Sequence, residues 1–218
     1  SGSSGSQCNN LYRGPEAGSE IETMAFEDYA ISVLPDQRDN DFTSAAPITT
    51  TGVFLTLHSY GPSILPTWSW TDIRDNPNYV QMMTFGRKMA FLNNYLVKGT
   101  NAGFPSPASG SHDDFAYGEL GVPSYTYEMG TAFFQDCASF ENTIYPDNLQ
   151  SILYALKQTR QPYLTSDAPE VVDITLTHDD IRVTNSLTVT QGTVITLTAT
   201  ADETRFHQNS FYQSQNLE

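Results

Sequence analysis

Basic residues are scarce in this sequence, where 10 lysines and arginines stand against 25 aspartates and glutamates. The resulting formal net charge is −15 at pH 7. A chain this acidic repels phosphate backbones, so we expect no binding to nucleic acid. The charge instead favours solubility, including in salty surroundings.

Long apolar runs and cysteines are also rare. No run of about 18 apolar residues occurs, so no membrane span is expected. The start, SGSSGSQCNN, shows no signal peptide and is typical of a polar loop or a cloning remnant. The two cysteines, Cys8 and Cys137, form no CxxC motif and fit either one disulfide of an exported protein or two unreactive thiols. GSSGS does not fit the GxSxG motif, so a serine hydrolase is excluded.

Helical and strand-like segments alternate along most of the chain. The segment SEIE at positions 19–22 has the form of a capping box and predicts a helix to about residue 34. Apolar spacing predicts a second helix over about 78–97, and its methionines are expected in the core. Further elements are predicted as a short helical turn at about 113–120, a strand within VPSYTYEMG, and a helix within PDNLQSILYALKQTRQPY. This alternation predicts an α/β fold with a mixed central sheet flanked by helices.

Two other segments complete this organisation. PSILPTWSWTDIRDNPN is rich in proline and tryptophan and is predicted to be a loop. From residue 164 onward the chain becomes rich in threonine and valine with period-two alternation, and TVTQGTVITLTAT indicates two strands around a turn. We therefore predict one domain over 1–163 and, over 164–218, the beginning of an immunoglobulin-like β-sandwich that is too short to be complete.

An apolar stretch, GVFLTLHSYGP, ends in His58. Its continuous apolar character predicts a central strand that is covered on both faces. A histidine at the end of such a strand is compatible with a half-exposed edge of the sheet, and equally with a functional site.

Acidic residues occur at two further positions of interest. Glu128 is the single carboxylate of the strand segment SYTYE, where it is either a solvent-exposed strand end or a general base near a metal. Asp113 and Asp114 lie together at a predicted helix start, where they would act as caps or receive a cationic ligand. His112 beside them is expected at the surface.

Together these segments resemble a known family. LTLHSYG, ASGSHDDFAYGELGVPSYTYEMG and PDNLQSILYALKQTRQPY, in this order, look like the C-terminal half of the zinc metallocarboxypeptidases of the carboxypeptidase A/B family. QCNNLYRGPEAGSEIET resembles the loop that leads into a helix before the third metal ligand of that family. The resemblance covers about residues 1–163.

The resemblance implies roles for single residues. His58 matches the third zinc ligand, and Glu128 matches the glutamate that activates the attacking water and returns a proton to the leaving amine. Ser59 and Tyr60 match residues that line substrate subsites. Asp113 falls at the base of the pocket for the C-terminal side chain, where an acidic residue resembles the branch that removes lysine or arginine.

The sequence also departs from the family pattern. The first two zinc ligands of the family form an HxxE motif, and none of the four histidines here begins one. The Asn-Arg pair that grips the substrate carboxylate is missing too. Ser106 stands where the family has a mobile tyrosine, so the resemblance implies that it is a substrate-lining position.

These departures lead to two hypotheses. The first is a secreted or periplasmic zinc carboxypeptidase that acts on peptide or protein C-termini. In this hypothesis the present chain is an incomplete, inactive portion whose remaining Zn²⁺ ligands lie upstream. The second is a non-catalytic module that binds peptides or surfaces on a carboxypeptidase-like fold.

Overall fold

The computed structural model describes residues 2–71, 75–99, 107–166, 171–178, 181–182 and 196–201. The chain forms two units, Ser1–Ser166 and Asp167–Glu218. The described strands of the second unit are β5 (Val171–His178), β6 (Ile181–Arg182) and β7 (Thr196–Ala201), which form an antiparallel sheet in the order β6-β5-β7. Its assignment as the beginning of an immunoglobulin-like sandwich stays a prediction, and the first strand predicted within TVTQGTVITLTAT lies outside the described residues.

The first unit contains helices and strands in alternation, as predicted. The elements are α1 (Ile21–Val33), β1 (Phe54–His58), β2 (Ser63–Pro66), α2 (Tyr79–Asn93), β3 (Leu96–Val97), α3 (His112–Gly118) and β4 (Ser124–Glu128), followed by α4 (Cys137–Ser139), a π-helical segment (Phe140–Ile144), α5 (Tyr145–Lys157) and α6 (Pro162–Ser166).

The four strands of this unit form a mixed sheet in the order β1-β4-β2-β3. β1 runs parallel to β4, β2 runs antiparallel to β4, and β3 runs parallel to β2. The α/β fold with a mixed sheet and flanking helices is therefore confirmed. The position of β1 differs from expectation, since within the described part of the chain it is an edge strand paired with β4, and Leu57 is 52% exposed.

The prediction of a loop over the proline- and tryptophan-rich segment is wrong at its start. Ser63–Pro66 form β2, and all four residues are buried between β4 and β3. Proline favours a loop because it cannot donate a ladder hydrogen bond. Here Pro66 is the last residue of β2 and lies opposite Tyr125 of β4.

Two helix boundaries also differ from expectation. The residue before α1 is Glu20, and no side chain caps the helix, so the capping box is not formed. The apolar side chains of α1, Ile21, Met24, Tyr29 and Ile31, are 43–76% exposed. The second predicted helix ends early, because Asn94 adopts a left-handed conformation (φ 56°) that ends α2 before β3.

The main core lies between α2, α5 and the sheet. Met82, Phe85 and Met89 of α2 are at most 1% exposed and pack with Tyr125 and Tyr127 of β4. The methionine cluster is therefore core, as predicted. The buried tyrosine hydroxyls find partners, since Tyr125 donates to the carbonyl of Met82 at 2.9 Å. This packing anchors β4, and with it Glu128 at the strand end.

Two phenylalanines on α2 provide a test of this core. Phe85 is 1% exposed and Phe91 is 87% exposed. We expect Phe85→Ala to lower the free energy of unfolding by about 3–5 kcal/mol, because it leaves a cavity against Tyr125. Phe91→Ala, the matched control, should change it by no more than about 0.5 kcal/mol. Urea unfolding of both variants measures the difference, and equal losses would contradict the assigned burial.

Candidate functional site

His58 and Glu128 lie at the carboxyl ends of two neighbouring parallel strands. The register of β1 and β4 places His58 directly opposite Glu128. The loops that follow are tied together, because Met129 N–H donates to the carbonyl of His58 at 2.9 Å and Gly61 N–H donates to that of Gly130 at 3.1 Å. The sheet therefore brings the imidazole and the carboxylate to one place.

The ring of His58 is oriented by a residue of the same strand. Nε2 lies 3.1 Å from Oγ1 of Thr56, and the ring is exposed at the end of β1. Metal-binding histidines commonly use one ring nitrogen for a neighbouring polar group, which fixes the direction of the other. His58 has this arrangement, and Nδ1 is the nitrogen left to bind a metal.

Glu128 is a half-buried carboxylate with an unused oxygen. Its Oε2 is buried and has no hydrogen-bond partner among the described residues. Burial raises the pKa of Glu128, while the charges of His58 and Lys98 oppose that rise. Gly130 follows with φ +72°, a conformation that suits glycine, and a Cβ there would overlap with Gln135. The chain therefore turns just after Glu128, which is the last residue of β4.

The donor set fits a zinc site in part. Among the residues that the structure describes, no three His, Cys, Asp or Glu side chains lie close enough to hold a metal ion. His58 provides one suitable nitrogen, and the orphaned Oε2 of Glu128 is the acceptor beside it. Catalytic zinc normally takes three protein ligands, so further ligands have to come from elsewhere.

The two residues after His58 line one side of the site. The hydroxyl of Ser59 donates to the carbonyl of Phe133 at 3.4 Å. The rings of Tyr60 and Phe133 pack edge to face, with their centroids 4.9 Å apart. A groove of about 500 Å³ runs beside them and is lined by His58, Ser59, Met129 and Phe133, among others. Ser59 and Tyr60 thus lie next to His58, and their role as substrate-lining residues stays a prediction.

Asp113 is fully buried, with 0% exposure. Its Oδ2 accepts hydrogen bonds from Ser69 Oγ at 3.0 Å and Thr126 Oγ1 at 3.3 Å. Oδ1 is buried and has no partner within the described residues. The alternative of a helix cap is wrong for this pair, since the N-cap of α3 is Ser111 and Asp114 bonds to the segment 67–70 instead.

The other residues singled out in the sequence are Ser106, the two cysteines and His112. Ser106 lies outside the described residues. Cys8 and Cys137 are exposed free thiols, so no disulfide joins them. Cys8 is in the N-terminal loop and Cys137 begins α4. His112 is exposed, as expected, and its ring centroid lies 4.0 Å from that of Phe26.

Comparison with known proteins decides the family. The model of the zinc carboxypeptidase family matches residues 1–151. The chain belongs to this family. This zinc carboxypeptidase chain is 30% identical to carboxypeptidase B of Rattus norvegicus over 139 residues, a match that covers 61% of the chain and 30% of the relative. It is 30% identical to the zinc carboxypeptidase of Simulium vittatum over 174 residues, a match that covers 73% of this chain and 51% of that relative.

Solved structures give the same fold. The crystal structure of carboxypeptidase A from Helicoverpa armigera matches with a TM-score of 0.53 and 18% identity, over 72% of this chain and 38% of that one. Thrombin activatable fibrinolysis inhibitor matches with a TM-score of 0.55 and 17% identity over the same shares. The chain thus spans about a third of the length of the first curated relatives and solved structures that it matches. In the described part of this zinc carboxypeptidase chain, no helix has the length and apolarity required to cross a membrane.

Several residues of the site were not singled out from the sequence. Thr56 lies two positions before His58, so the period of a strand could have indicated that both share a face. Ser69 and Thr126 converge on Asp113 from different segments. Nothing in the local sequence signals that convergence.

Proposed function

We propose that this zinc carboxypeptidase removes the C-terminal residue of peptides or proteins, with zinc held by His58 and by ligands outside this chain. The observation that carries the proposal is the register of β1 and β4, which places His58 opposite Glu128. A histidine and an adjacent acid with a free buried oxygen suit a hydrolytic metal site. With one ligand, the described chain is not expected to hold zinc tightly or to be active by itself.

Glu128 carries out the proton transfers in this proposal. When bound, zinc supplies a Lewis acid for the scissile carbonyl and lowers the pKa of water to about 7. Glu128 takes a proton from the attacking water at Oε2, the buried oxygen without a partner, and delivers it to the leaving amine. The backbone hydrogen bonds of Met129 and Gly130 with the His58–Gly61 segment hold the chain just after Glu128 in place, so little reorganisation of the backbone is needed during the reaction.

We further propose that Asp113 selects substrates with a C-terminal lysine or arginine. A fully buried carboxylate with one unpartnered oxygen lacks a donor, and a guanidinium or ammonium group supplies one together with the opposite charge. The family resemblance, which places Asp113 at the base of the side-chain pocket, supports the same role.

The proposed function is tested on the natural protein that contains this chain, referred to below as the full-length protein. Peptides ending in arginine and in phenylalanine are incubated with it, with and without a zinc chelator. We expect chelator-sensitive release of a single C-terminal residue, faster from the arginine peptide. A folded, zinc-loaded protein that releases nothing would support the second candidate, a peptide-binding module, which the replacement of the family's tyrosine by Ser106 favours.

Asp113 gives a prediction about specificity. Asp113→Asn keeps the shape of the side chain but removes its charge, so kcat/KM for arginine peptides should fall by about 10- to 100-fold in the full-length protein. Cleavage of phenylalanine peptides should change by less than about threefold, since no charge is paired there. Kinetics with both peptides measure the ratio. Equal losses for the two peptides would remove Asp113 from the specificity pocket.

We also propose a location outside the cytoplasm, either secreted or periplasmic. The family resemblance and the predicted β-domain support this location. Fractionation of cells that express the full-length protein tests it, and recovery in the cytoplasm would contradict it.

A further inference from the structure

Asp114 binds the segment that follows β2. Its Oδ1 accepts from Thr67 Oγ1 at 2.6 Å and from Ser69 N–H at 2.7 Å, and its Oδ2 accepts from Trp70 N–H at 3.0 Å. Hydrogen bonds to a carboxylate are about twice as strong as neutral ones. Burial and the neighbouring carboxylate of Asp113 raise the pKa of Asp114 to about 6, and the bonds from Thr67 and Ser69 oppose that rise. Asp114 therefore fixes the backbone of residues 67–70 against α3.

Ser69 connects this anchored segment to Asp113. Its N–H is held by Asp114, while its hydroxyl donates to Oδ2 of Asp113 at 3.0 Å. Thr126 donates to the same oxygen at 3.3 Å. Both donors therefore act on Oδ2, and Oδ1 is left without a partner among the described residues.

We infer that Asp114 and Ser69 are positioning residues for specificity, because together they hold the Asp113 carboxylate with Oδ2 hydrogen-bonded and the buried Oδ1 unpartnered, so that Oδ1 is left to pair with the cationic side chain of the substrate. This inference rests on the proposed function and on the proposed preference for basic residues. Neither residue is assigned a contact with substrate. Asp114 accepts a hydrogen bond from the N–H of Ser69 and so fixes its position, and the hydroxyl of Ser69 in turn donates to Asp113.

A purely structural anchor would give a different result from a positioning pair. If Asp114 and Ser69 only stabilise the fold, their loss affects all substrates alike. If they hold Asp113, their loss raises KM for arginine peptides, leaves kcat nearly unchanged and spares phenylalanine peptides. The ratio of kcat/KM for the two peptides therefore separates the two roles.

The test uses Ser69→Ala and Asp114→Asn in the full-length protein. Ser69→Ala is the milder change, because it keeps the backbone N–H that Asp114 holds and removes only the hydroxyl. We expect the arginine-to-phenylalanine ratio of kcat/KM to fall about tenfold in each variant, through KM, with unchanged zinc content. Ser32→Ala and Asp147→Asn, at exposed positions on α1 and α5, serve as matched controls and should leave the ratio unchanged.

Each result of this experiment bears on a different part of the proposal: the positioning role, the basic preference or the proposed function. An unchanged ratio in Ser69→Ala, with a wild-type protein that prefers arginine, would overturn the positioning role and leave the proposed function standing. Equal losses for both peptides would also overturn it, in favour of a structural anchor. A wild-type protein that cleaves both peptides equally would refute the basic preference, and one that cleaves neither would refute the proposed function; either result removes the basis of the inference.

Discussion

Glu128→Gln should lower kcat of the full-length protein by about 10²- to 10⁴-fold while zinc stays bound. Glutamine has nearly the shape of glutamate but cannot take a proton from water at neutral pH. The side chain lies opposite His58, with Oε2 buried and without a hydrogen-bond partner among the described residues. Peptide cleavage and zinc content, measured on the same preparation, check both parts of this expectation.

Glu22→Gln is the matched control for this substitution. Glu22 lies in the first turn of α1 and is exposed, so the same chemical change there should leave turnover unaltered. If Glu128→Gln retained full activity, Glu128 would not be the base. If the variant lost zinc as well as activity, its carboxylate would instead be required to hold the metal.

The two residues proposed for the zinc chemistry, His58 and Glu128, could be identified from the sequence because each has a local signal in the chain. An apolar strand that ends in His58 and a tyrosine-rich strand that ends in Glu128 each carry their own signal. Parallel pairing then places the two strand ends side by side. The family resemblance implies their roles, and the β1–β4 register brings the two residues together.

The surroundings of Asp113, the residue proposed for specificity, were much harder to predict from the sequence. Adjacent acids at a helix start suggest caps, yet Asp113 and Asp114 bond to partners far along the chain. Those partners include Ser69, which follows β2, a strand in a proline-rich segment that was predicted to be a loop. A hydrogen bond between residues 44 positions apart leaves no periodic trace in the sequence, so it becomes visible only when the chain is folded.

The exposed apolar side chains of α1 are a second case in which the sequence predicts an element but not its surroundings. Helix α1 lies where it was predicted, but its apolar residues Ile21 and Tyr29 are 76% and 67% exposed. Periodicity reports that a helix has an apolar side; it does not report what covers that side. Leu57 at the edge of the sheet is a comparable case, because its strand was expected to be covered on both faces.

His58→Ala should lower the zinc affinity of the full-length protein by more than the about 10- to 100-fold that loss of an outer-shell partner costs. The reason is that His58 supplies a direct ligand, whereas Thr56 only orients the ring. Activity should disappear with the metal, since Glu128 then has no activated water to deprotonate. Metal analysis after dialysis against a zinc buffer measures the affinity change.

Two further variants make this result specific. Thr56→Ala removes the hydroxyl 3.1 Å from Nε2 and should weaken zinc binding less than His58→Ala does, within the outer-shell range of about 10- to 100-fold. His112→Ala removes an exposed imidazole that packs on Phe26 and should leave zinc binding unchanged. Equal zinc content in His58→Ala and His112→Ala would show that His58 is not a ligand. The strand register would then have a purely structural meaning, and the binding-module hypothesis would become the better account of the chain.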